Sequence, residues 1–99
     1  DAEGRLILGD ALTRASEESP DLIVDFATLT GAARVALGPD LPALFARRDE
    51  TAEAFLAAGK ANDDAAWRLP LHDGYREYLA SDVADMANSA ANPFAGASV

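Results

Sequence analysis

The sequence predicts an α/β fold, a three-layer α/β/α arrangement with a mainly parallel sheet, of which this chain supplies part. Three observations carry that prediction. Helical and extended patterns alternate along the chain. The run Leu22-Ile23-Val24-Asp25-Phe26-Ala27 is almost continuously apolar instead of alternating with polar residues, the composition of a strand buried on both faces. No internal repeat or low-complexity linker divides the 99 residues, which therefore read as one unit.

In chain order, Leu8, Ala11, Leu12 and Ala15 recur at helical spacing, so residues 5–17 are predicted as an amphipathic helix. Ser19-Pro20-Asp21 stops it, because proline disfavours helical geometry in the residue before it. The apolar run at 22–27 is the first strand. Asp25 is the one charge inside it and reads as paired or functional, with a structural partner favoured. After Thr28-Leu29-Thr30-Gly31 comes a short helix, Ala32-Ala33-Arg34-Val35-Ala36-Leu37, stopped by Gly38-Pro39. Residues 42–46 read as a second strand, 50–61 as a surface helix, and 67–71 as extended, since Pro70 biases Leu69 away from helix. A short helix follows at 72–79 with Tyr75, Tyr78 and Leu79 on its apolar side, then a brief strand at 83–86 and an irregular loop through Asn92-Pro93. Trp67 and His72, the only tryptophan and the only histidine, read as packing or surface residues.

Composition narrows the function classes. With 49% hydrophobic and 25% charged residues the chain is ordinary for a globular protein. A formal net charge of −9 argues against nucleic acid and anionic membrane surfaces as partners, because both repel an acidic surface. It is compatible with cationic substrates or metal ions. Without cysteine there is no disulfide framework, thiolate metal site or cysteine nucleophile. No apolar run reaches the ~20 residues of a membrane helix and no basic-then-apolar leader is seen, so a soluble, untargeted chain is expected. The chain starts at Asp1 without an initiator methionine and stops inside a small-residue run, so an internal piece of a larger protein is expected.

The candidate chemistry gathers at Asp1-Ala2-Glu3-Gly4-Arg5-Leu6. On extended backbone Asp1 and Glu3 project from the same side, their roots roughly 7 Å apart, within reach of one metal ion or a pair. Gly4 permits a sharp turn and close approach of a bound group. Arg5 stands where a helix begins, and its charge together with unpaired N–H groups favours an anion. Hard oxygen ligands beside an anion clamp fit metal-assisted hydrolysis. The same residues also fit a solvated loop with an acidic first turn that complements the helix dipole, and spacing alone favours this plainer reading. The loop Thr28-Leu29-Thr30-Gly31 lies beyond the carboxyl end of the predicted strand, where ligands gather in open parallel sheets. A plain strand-to-helix turn capped by threonine fits it equally well.

Three separated pieces together resemble one family, the leucine aminopeptidases or cytosol aminopeptidases. Asp1-Ala2-Glu3-Gly4-Arg5-Leu6 looks like the second half of that family's Asn-Thr-Asp-Ala-Glu-Gly-Arg-Leu motif. Asp21 to Asp25 with Ala27 to Ala32 resembles a second block, and Trp67-Arg68-Leu69-Pro70-Leu71 with Ser81, Ala84-Asp85 and Asn88 a third. The pieces occur in the family's order across nearly the whole chain, and this reverses the preference for the plainer reading of Asp1 and Glu3.

The resemblance implies a metal-dependent aminopeptidase that removes residues such as leucine from peptides with a free N-terminus. Asp1 and Glu3 would ligate two divalent metal ions, Zn or Mn, with Glu3 bridging them. A bridging carboxylate offsets the repulsion of dications about 3.5–4 Å apart, and such a pair acidifies a shared water. Arg5 would hold a bicarbonate that serves as general base, its planar fork matching a planar oxyanion. Gly4 and Leu29 would present backbone to the same anion. Thr28, Leu29, Thr30 and Gly31 would line the substrate cleft, with Gly31 leaving room for the substrate side chain. A homo-hexamer is also implied.

The family's other ligands, a lysine and two aspartates, and its catalytic lysine lie upstream of residue 1. The chain alone is therefore expected to bind metal weakly and not to hydrolyse peptides. Residues 89–98 depart from the glycine-rich run of many members and look closer to an aminopeptidase B-like branch. Two rivals stand beside this reading. One is a non-catalytic or regulatory piece of the same fold; the other is an acidic binding module without metal, which gives no reason for Arg5 directly after Asp-x-Glu-Gly.

Overall fold

The computed structural model describes residues 2–91 and 96–98. Helix α1 spans Ala2–Ser16, α2 Ala32–Leu37 and α3 Asp49–Ala61; strands β1 (Ala43–Leu44) and β2 (Trp67–Arg68) flank α3, and a 3-10 helix covers Asp73–Leu79. The two strands pair in parallel, Ala43 opposite Trp67 and Leu44 opposite Arg68. The ladder extends by bonds from Trp67 N–H to Pro42 O at 2.9 Å and from Leu69 N–H to Leu44 O at 2.9 Å. A parallel pair needs a long crossover, and α3 supplies it, packing back against β2. The chain is thus a partial α/β fold with a parallel sheet, as its alternating pattern predicts.

Helix α3 holds the core. Ala52 is the one fully buried hydrophobic residue among those described, at 0% exposure. The helix starts with Asp49 and Glu50, which complement its dipole, and ends where Asn62 folds back, its Nδ2 donating to Ala58 O at 2.8 Å. Asp64 N–H then donates to Gly59 O at 2.8 Å, with Asp63 at φ 56 making the reversal. Gly59 is required there, since a Cβ on it would run into the Asp64 carbonyl oxygen. Helix α2 has the expected bounds and ends at Gly38, whose φ of 83 lies in the left-handed region that glycine adopts freely. The 3-10 helix turns Tyr75 and Tyr78 inward as a stacked pair with ring centroids 5.4 Å apart, and His72 meets Tyr75 edge-on at 4.9 Å.

Four expectations are corrected. Helix α1 begins at Ala2 and not at Arg5, so Glu3 and Gly4 are helical. Alanine, glutamate, arginine and leucine are good helix formers, and an acidic first turn favours the helix start. The strand expected at 22–27 has no ladder partner among the described residues, and its side chains are exposed, Phe26 by 88%. An apolar strand is held by neighbours on both edges and both faces, and these are not among the elements described. Asp25, expected to have a structural partner, is exposed and makes no ion pair among the described residues. The strand expected at 83–86 is a series of bends, because Ser81 Oγ accepts from Val83 N–H at 3.3 Å and Ala84 N–H at 3.1 Å. Such local side-chain bonds displace a ladder. The loop expected through Asn92-Pro93 lies outside the described residues.

The radius of gyration, 14.7 Å, exceeds the ~13 Å of a compact domain of about 100 residues. Exposed Leu6, Ile7, Val24, Phe26, Val35 and Val83 agree with that openness.

Candidate functional site

Helix α1 presents Glu3, Gly4 and Arg5 in its first two turns. Glu3 is exposed, whereas Gly4 and Arg5 are half-buried. Successive residues of a helix turn by about 100°, so residues two apart point to opposite sides. Glu3 is on helical backbone, not on the extended backbone considered from the sequence. Asp1 itself lies outside the described residues.

Arg5 is held from across the chain. Its Nη1 donates to the backbone oxygen of Asn88 at 2.6 Å, a link between residues 83 positions apart. A guanidinium has five N–H donors, and the edge made by Nε and Nη2 makes no hydrogen bond among the described residues. That edge is the one that grips a planar oxyanion with two parallel bonds. Nothing in the pattern of residue types marks Asn88 as the partner, because the acceptor is a main-chain oxygen.

In the loop before α2, Leu29 is half-buried and Thr28, Thr30 and Gly31 are exposed. Thr30 Oγ1 accepts from Ala32 N–H at 3.3 Å, and Gly31 O accepts from Val35 N–H at 3.0 Å. Thr30 thus bonds the first amide of α2, but the N-cap residue is Gly31, which has no side-chain cap, and among the described residues no strand leads into the turn. A Cβ built on Gly31 would meet nothing within 4 Å, which leaves open space beside the loop. No hydrogen bond or ion pair among the described residues joins Glu3, Gly4 or Arg5 to residues 28–31.

The carboxylates have the right chemistry for a divalent cation, being hard oxygen donors. Their number falls short: among the described residues no three His, Cys, Asp or Glu side chains converge. Ligands from beyond these residues are needed to complete a site of this kind. An open groove of about 780 Å³ lies elsewhere, lined by Arg47, Asp49, Arg68, His72, Tyr75 and Arg76 among others. None of the metal, anion or substrate residues expected from the sequence lines it.

A model of the catalytic domain of the cytosol aminopeptidase family matches residues 1–99. The chain belongs to that family. A protein from Pseudomonas fluorescens strain SBW25, described as a probable cytosol aminopeptidase, is 56% identical over 88 residues, which is 89% of this chain and 18% of the relative. A Bordetella avium protein of the same description is 53% identical over 97 residues, 98% of this chain and 19% of the relative. The crystal structure of a cytosol aminopeptidase from Coxiella burnetii matches with a TM-score of 0.90 and 61% identity, over 98% of this chain and 21% of that one. The chain therefore spans about a fifth of the length of these family members, and its α/β path is that of a segment of the Coxiella protein. The relatives carry the family's general name, and none of those named here supports an aminopeptidase B-like assignment. Among the described residues no helix is long and apolar enough to cross a membrane.

Proposed function

We propose that this chain works as part of the catalytic domain of a longer, metal-dependent aminopeptidase, with an N-terminal domain and the upstream half of the catalytic domain lying outside it. The observation that carries the proposal is the family match over all of residues 1–99, which begins at the Asp-Ala-Glu-Gly-Arg-Leu stretch. The substrates are peptides with a free N-terminus, and leucine is among the residues removed.

Asp1 and Glu3 would hold a pair of divalent cations, Zn or Mn, and Glu3 would serve both. When bound, such a pair acidifies water and polarises the scissile carbonyl. Arg5 is assigned to hold a bicarbonate, the general base, through the Nε and Nη2 edge that the bond to Asn88 leaves over. The backbone of Gly4 and Leu29 faces the same anion. Thr28, Leu29, Thr30 and Gly31 line the peptide cleft: the backbone of Leu29 pairs with the peptide, and the space beside Gly31 takes the side chain to be removed. The assembly is a cytoplasmic homo-hexamer that engages neither nucleic acid nor membrane, in keeping with a net charge of −9. The 99 residues alone are expected not to turn over peptide, because the resemblance places the remaining ligands upstream of residue 1.

The test is hydrolysis of leucine p-nitroanilide by the intact protein with Mn²⁺ or Zn²⁺, with and without chelator. Cleavage is expected only with metal, and is expected to disappear in an Asp1→Ala, Glu3→Ala variant that retains its fold. Metal-independent cleavage, or none from the intact protein, overturns the reading.

A further inference from the structure

The segment between the 3-10 helix and Asn88 has almost no apolar anchorage. Val83 is 97% exposed, and residues 82–86 are all exposed. Hydrogen bonds tie it together. Ala87 N–H donates to Leu79 O at 2.7 Å and closes the loop at its base. Within it, half-buried Ser81 accepts from two consecutive main-chain donors, Val83 N–H at 3.3 Å and Ala84 N–H at 3.1 Å. The residue directly after the closed base is Asn88, whose oxygen takes the 2.6 Å bond from Arg5 Nη1.

We infer that Ser81 is a positioning residue for Arg5: by folding loop 79–87 it fixes the Asn88 carbonyl, which turns the guanidinium so that its Nε and Nη2 edge meets the anion. The inference rests on the proposed role of Arg5. Two properties of the geometry favour it. A single bond to Nη1 orients the fork without consuming the edge that binds an oxyanion bidentately. A serine hydroxyl accepting two backbone donors is also a local device that needs no packing, which suits a segment as exposed as this one.

The experiment uses the intact metal-loaded protein. Bicarbonate binding is measured by calorimetry, kcat and KM by leucine p-nitroanilide hydrolysis, and the exchange rate of the Ala87 amide by mass spectrometry. In Ser81→Ala, bicarbonate affinity and kcat are each expected to fall about tenfold with KM little changed, because a misplaced catalytic group costs rate more than substrate binding. The Ala87 amide is expected to exchange faster. Ser81→Thr, which keeps the acceptor, is expected to restore all three. Should Ser81→Ala not fold, the nearly isosteric Ser81→Cys, a weak acceptor, carries the same test. A folded serine variant with unchanged bicarbonate affinity and kcat, whatever its melting temperature, overturns the inference. Arg5→Ala separates the two readings: if it binds bicarbonate as the parent does, the role proposed for Arg5 is itself wrong. If it loses bicarbonate while Ser81→Ala keeps it, only the positioning role falls.

Discussion

Arg68 Nη1 lies 2.8 Å from Asp49 Oδ1, and Nη2 of the same guanidinium donates to Ala46 O at 3.1 Å. One side chain on β2 therefore ties the start of α3 to the segment leaving β1. The carboxylate is 79% exposed, which limits the ion pair to a surface-like strength, while the arginine is only 33% exposed. Loss of the arginine leaves a half-covered carbonyl without its donor.

Arg68→Ala is accordingly expected to destabilise the protein by about 1–2 kcal/mol, most of it from the bond to Ala46. Asp49→Asn, which keeps the shape and removes only the charge, is expected to cost less than about 1 kcal/mol. Urea unfolding of the intact protein checks both. Equal losses in the two variants contradict this division.

Gly59→Ala is expected to disturb the end of α3. The added methyl runs into the main-chain oxygen of Asp64, which belongs to the reversal held by Asp64 N–H on Gly59 O at 2.8 Å. A backbone obstacle cannot rotate aside, so a cost of about 1–3 kcal/mol is expected despite alanine's higher helix propensity. A thermal melt that rises in Gly59→Ala refutes the contact.

Arg5→Lys keeps the charge but replaces a two-pronged edge with a point donor. Turnover is expected to fall roughly 10–100-fold, with Arg5→Ala at least as low, since general-base assistance contributes about 10²–10⁴-fold. Steady-state kinetics of the two variants decide the matter. A lysine variant at full activity means that charge alone suffices.

The 99 residues on their own are expected to lack a cooperative thermal transition and to bind a hydrophobic dye. A core whose one fully buried hydrophobic side chain among the described residues is Ala52 offers little to offset the entropy of ordering the chain. Calorimetry and dye fluorescence on the isolated peptide test this, and a sharp endotherm without dye binding contradicts it.

Local chemistry was enough to place much of this chain. The Gly38-Pro39 stop of α2, the helical spacing in α1 and α3, and the extended bias of Leu69 before Pro70 act within a few residues, so they read directly from the sequence. The order of three motifs identified the family for the same reason, and the match over residues 1–99 agrees. Residues 22–27 mark where that legibility ends. Their apolar run describes an environment that neighbouring strands must provide, and no such neighbours are among the described elements. At 83–86 a serine hydroxyl outcompeted strand propensity, and at Ala2 to Gly4 helix propensity carried α1 ahead of the start expected at Arg5.

At the candidate site, residue identity set what each group offers chemically: carboxylate oxygens at Asp1 and Glu3, a guanidinium at Arg5, no side chain at Gly31. Its arrangement depended on contacts between distant parts of the chain. Arg5 meets a main-chain oxygen 83 residues away, and that oxygen is common to every residue type, so no sequence pattern could announce it. Side-chain chemistry is written position by position, whereas the pairing of a side chain with a remote backbone exists only once the chain has folded.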